Sequence, residues 1–71
     1  MREIDEMVWR LVTRSGFAAE FWAELRRRRK MDQGASRRQV FEDLNAMFEA
    51  EFGEPRWPSY DTFRHSREFR K

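Results

Sequence analysis

Cysteine is absent, histidine occurs once, at His65, and the 71 residues include only three glycines and two prolines. Without cysteine there is no disulfide framework, and a lone histidine with no thiol provides no ligand spacing for a structural metal. Neither of the usual staples of very small folds is therefore available. No apolar run approaches the roughly 18 residues of a membrane-spanning helix, mean hydropathy is −1.01, and the opening Met1-Arg2-Glu3-Ile4-Asp5-Glu6 lacks the apolar core of a secretory leader. The chain reads as a soluble, cytoplasmic single helical domain over 1–71, standing alone or as part of a larger protein or complex. Catalytic inventory is scarce as well. Ser15, Ser36, Ser59 and Ser66 fall at or beside expected helix ends or in the last helix, no glycine-rich phosphate loop is present, and Glu42-Asp43 and Glu49 with Glu51 are not spaced as facing partners. The expectation is a non-enzymatic chain with no cofactor and no metal.

Aromatic side chains and charge are what the sequence does have. Seven Phe, three Trp and one Tyr supply the apolar bulk of a core that must hold by packing alone. Fifteen Lys and Arg against thirteen Asp and Glu leave a net charge of +2, but the charges are segregated. Residues 1–25 carry three basic and five acidic groups, 26–38 seven and one, 39–54 none and five, and 55–71 five and two. Two basic zones thus bracket an acidic one, and a fold that joins them makes a cationic face suited to phosphates. A solvated surface of mixed charge is the plainer alternative.

Ile4, Met7, Val8, Leu11 and Val12 share one helical face, which predicts a first helix near 3–14, ended by Ser15-Gly16 with glycine in the left-handed conformation. Trp9 lies off that stripe and is expected to cover a neighbouring helix. Phe17, Ala18, Phe21, Trp22 and Leu25 predict a second helix over 17–30, which closes on Arg26-Arg27-Arg28-Arg29-Lys30. Asp32-Gln33-Gly34-Ala35 reads as a loop. Ser36 with Gln39 has capping-box spacing, so a third helix runs over 37–52 with Val40, Phe41, Leu44, Met47, Phe48 and Phe52 inward and Gly53 as its stop. Pro55 and Pro58 exclude helix around Trp57, which is expected to act as a lid on the core rather than a base-stacking platform. Ser59 caps a fourth helix over 60–69, anchored by Phe63. The expected fold class is all-α: a small four-helix domain with Val8, Leu11, Phe21, Leu25, Leu44, Phe48 and Phe63 in one core.

Gly34-Ala35-Ser36-Arg37-Arg38-Gln39-Val40-Phe41-Glu42-Asp43-Leu44-Asn45, followed by Pro58-Ser59-Tyr60-Asp61-Thr62-Phe63-Arg64, resembles the tri-helical helix-turn-helix domains of recombinases, transposases and phage regulators over about half the chain. The resemblance implies a supporting third helix and a DNA-recognising fourth helix, with Arg37, Arg38, Ser59, Tyr60, Arg64, His65 and Arg67 as contacts. On chemistry alone, Ser59 and Tyr60 offer hydroxyls to phosphates, Arg64 suits a guanine edge, and Arg70 and Lys71 add charge. Arg26, Arg27, Arg28, Arg29 and Lys30 suit sequence-independent phosphate contacts. Five consecutive charges wrap around a helix, so only about half of them face a groove at once. His65 in a basic helix is ordinarily a surface residue. The expected partner is DNA, or RNA in its place. The competing reading is a helical protein-interaction module, an adaptor or inhibitor, which uses Trp9, Trp22, Trp57 and charged faces on another protein or a second copy.

Overall fold

A computed structural model describes residues 6–69. Four α-helices follow one another: α1 (Glu6–Arg10), α2 (Arg14–Met31), α3 (Arg37–Phe52) and α4 (Tyr60–Arg64), with a single 3-10 turn at Arg67–Phe69. No strand occurs among the described residues, and no helix there is long and apolar enough to cross a membrane. The architecture is all-α, as the stripes predict.

The first boundary differs from expectation. Residues 1–5, including Ile4, lie outside the described residues, and α1 ends at Arg10 rather than near 14. Thr13 is the reason: its hydroxyl accepts from the Gly16 N–H at 2.9 Å, which caps α2 three residues earlier than the stripe suggests. Gly16 does not stop a helix but lies in the first turn of one. A Cβ at Gly16 would stand 2.1 Å from the Arg10 carbonyl oxygen, so its bare backbone is what lets the last turn of α1 close onto α2.

α3 matches its predicted span at both ends. The Ser36 hydroxyl accepts from the Gln39 N–H at 3.3 Å, and Gly53 turns left-handed at φ 86°. Only half of the capping box forms, because the Gln39 side chain reaches forward to Asp43 Oδ1 at 2.9 Å instead of back to Ser36. The fourth helix is shorter than predicted. After Arg64 the Ser66 hydroxyl donates to the Phe63 carbonyl at 2.7 Å, ending α4 before the chain re-enters a 3-10 turn.

The core is an aromatic cluster with Phe63 at its centre. The Phe63 ring lies 5.0–5.5 Å from those of Phe17, Phe21, Phe41, Trp57 and Phe69. Leu11, Ala18, Leu25, Val40 and Leu44 fill in around it. Leu11, Phe21, Leu25, Leu44 and Phe63 join this core as expected, whereas Val8 is buried outside the cluster and Phe48 is half-buried at its margin. Met47 and Phe52, expected inward, are exposed instead, because the core meets α3 through Val40, Phe41 and Leu44 in its first half. Trp57 is only 3% exposed and closes the core as a lid. Asn45 on α3 holds it in place: its Oδ1 accepts from the Trp57 N–H and its Nδ2 donates to the Trp57 carbonyl, each at 3.0 Å.

Candidate nucleic-acid interface

Trp22, Leu25, Arg26, Arg29 and Lys30 recur at intervals of three and four, so they share one face of α2. Together they line a shallow groove of about 270 Å³. Leu25 is buried and fixes the face against the core. Trp22 is half-buried: its indole N–H donates to the Phe69 carbonyl at 3.1 Å, and its ring packs 4.9 Å from Phe21 and 5.2 Å from Phe69. The Arg37 guanidinium, at the start of α3, lies 5.5 Å from the same ring. Trp22 therefore sits where α2 meets the start of α3, through Arg37, and the C-terminal 3-10 turn, through Phe69. Arg26, Arg29, Lys30 and Arg37 are exposed and form no ion pair with any described residue.

Arg27 and Arg28 face elsewhere. Arg27 pairs with Glu24 at 2.8 Å, and Arg28 bridges Glu24 and Asp43, both at 2.8 Å, tying α2 to α3. The Arg28 hydrogen bond, opposed by partial burial and helped by Arg27, holds the Glu24 carboxyl below its usual range, while Glu24 and Asp43 raise Arg28. Within the run expected to contact phosphates, the structure leaves Arg26, Arg29 and Lys30 open and neutralises Arg27 and Arg28.

The expected recognition helix is otherwise engaged. Ser59 accepts from the Thr62 N–H at 3.1 Å and hydrogen-bonds the Thr62 hydroxyl at 3.0 Å. Tyr60 is half-buried against Phe41, and the Arg38 guanidinium covers it at 5.1 Å. Arg64 pairs with Asp61 at 3.1 Å, and His65 Nδ1 lies 2.8 Å from the Asp61 carbonyl. Arg67 is exposed on the 3-10 turn, and Arg70 and Lys71 lie outside the described residues. Five residues of α4 span roughly 7.5 Å of helix axis, short for an element laid along a groove. No group of three or more His, Cys, Asp or Glu that could hold a metal occurs among the described residues.

In sequence Trp22 reads as a core residue or a partner anchor, and nothing there marks it as the point where Arg37 and Phe69 meet α2. The spacing 22, 25, 26, 29, 30 is the signal that could have found it. No protein-family model, curated protein or solved structure matches the chain.

Proposed function

We propose that the chain is a non-enzymatic nucleic-acid-binding module that contacts backbone phosphates through Arg26, Arg29, Lys30 and Arg37 around Trp22. The observation that carries this reading is four unpaired cations around one half-buried indole, Arg26, Arg29 and Lys30 sharing its groove and Arg37 lying over its ring, while Asp43 of the acid-rich α3 neutralises Arg28 instead of them. Contacts of this kind are sequence-independent and release counterions, so affinity falls steeply with salt. In the finer, helix-turn-helix form of the proposal, α3 supports and α4 reads DNA, which requires Arg64 to exchange Asp61 for a base edge. Arg64→Ala would then relax selectivity at one position, whereas the phosphate reading expects no change in sequence preference. The test of the general reading is binding of random duplex at low and raised salt, with tight binding at low salt expected.

A second reading has its own observation. Trp9 is 56% exposed and meets Phe52 edge-on at 6.2 Å, with Phe48 4.5 Å from Phe52, so an aromatic patch lies open where α1 meets the end of α3. A chain that ignores nucleic acid at low salt would be a protein-interaction module working through that patch.

A further inference from the structure

Among the described residues, the two side-chain donors buried without an acceptor are neighbours in sequence: Nε of Arg56 and Nε1 of Trp57. A buried donor with no acceptor is costly and is rare in folded proteins, so two at one place need a physical account. A second guanidinium converges on the same ring. Arg14 Cζ lies 5.4 Å from the Trp57 ring and Arg56 Cζ 5.8 Å from it. Neither arginine has an ion-pair partner among the described residues, and the first turn of α2, which bears Arg14, carries no acidic side chain. Arginine and tryptophan side chains carry no acceptor, so these three offer donors and positive charge only. Its indole is fixed, because Asn45 holds the Trp57 backbone on both sides and Phe17 and Phe63 pack against the ring.

We propose that Arg14, Arg56 and Trp57 form a binding site for an oxyanion of the phosphate type. Guanidinium forks match phosphate oxygens, and the indole N–H supplies a donor from a third side chain, an arrangement better suited to a tetrahedral acceptor than to a flat carboxylate. Arg14 is exposed and Arg56 half-buried, so the anion approaches from solvent and the flexible arginine stems, which cover the indole, are the parts that move. This site is separate from the face proposed above. Arg14 and Arg29 stand fifteen positions apart on α2, roughly 22 Å along the helix.

The test is a titration of the three tryptophan indole N–H resonances with inorganic phosphate at constant ionic strength, with Trp57 assigned through Trp57→Phe. The Trp57 resonance should move saturably while that of Trp9 stays in place, whether or not Trp22 also responds, and Arg14→Gln or Arg56→Gln should weaken the Trp57 effect roughly ten- to hundredfold. Unmoved Trp9 and Trp22 resonances in those variants report an intact fold, and the wild-type titration stands even if a variant unfolds. A shift produced equally by chloride, one that survives both substitutions, or no shift at all overturns the proposal. Acetate matching phosphate overturns the phosphate assignment. Movement of Trp22 alone places the anion on the nucleic-acid face and contradicts this site without contradicting that function.

Discussion

Gly16 and Glu24 show how much single side chains decide in a domain this small. A Cβ at Gly16 would meet the Arg10 carbonyl at 2.1 Å and the Thr13 hydroxyl at 2.7 Å, whereas one at Gly34 would meet only Asp32 Oδ1, at an ordinary 3.4 Å. Gly16→Ala should cost about 1–3 kcal/mol through forced displacement of α1, and Gly34→Ala about 0.5 kcal/mol or less. Urea midpoints of the two variants check this, and equal midpoints would contradict the close corner between α1 and α2. The sequence advertises Gly16 but not which property of glycine is in use. Its conformational freedom is legible from neighbours in sequence, whereas its lack of a Cβ matters only once Arg10 is brought against it. Glu24 makes a pH prediction. Its folded carboxyl titrates below the ordinary value of 4.5, so the stabilisation is complete above that value and lost as pH falls through the lower, folded one. Glu24→Gln should therefore lower stability by about 1 kcal/mol near neutrality, with the gap to wild type closing in acid. A gap that stays constant with pH would contradict the ion-pair account.

At the level of elements, α3 is the most legible because both of its ends carry strong local signals, the Ser36 hydroxyl and the left-handed Gly53. The end of α4 is not legible, because Ser66 caps the Phe63 carbonyl only after Phe63 is already committed to the core. Asn45 is the clearest omission. On sequence it is one polar residue in an amphipathic helix, and its role exists only when the 53–59 connection folds back so that both amide groups meet Trp57. Asn45→Ala should cost about 1–3 kcal/mol, since it leaves the Trp57 backbone groups without partners. Phe63→Ala should cost about 3–5 kcal/mol, against a total of roughly 4–10 kcal/mol for a domain of this length. Loss of the cooperative thermal transition in Phe63→Ala, with a lowered but intact transition in Asn45→Ala, is the expected pattern in circular dichroism. A Phe63→Ala variant melting like wild type would contradict the placement of that ring at the centre of the core.

On the scale of the molecule, the fold sorts charge that the chain only segregates. Its described body measures 39 × 26 × 16 Å, with α1 at the N-terminal end of α2 and the open cations around Trp22 in its C-terminal half. The basic run 26–30 looks uniform in sequence. Helical geometry divides it, with Arg26, Arg29 and Lys30 beside Trp22, and Arg27 and Arg28 on Glu24 and Asp43. That division is the central claim, and the salt dependence of duplex DNA binding tests it most directly. Measured by fluorescence anisotropy over a range of salt, the triple variant Arg26→Gln, Arg29→Gln, Lys30→Gln should bind more weakly than wild type to all sequences alike. Its slope of log affinity against log salt should flatten by about 0.9 for each phosphate no longer neutralised, while the double variant Arg27→Gln, Arg28→Gln keeps the wild-type slope. No wild-type binding at low salt, or a double variant whose slope flattens as much as that of the triple, would contradict the account.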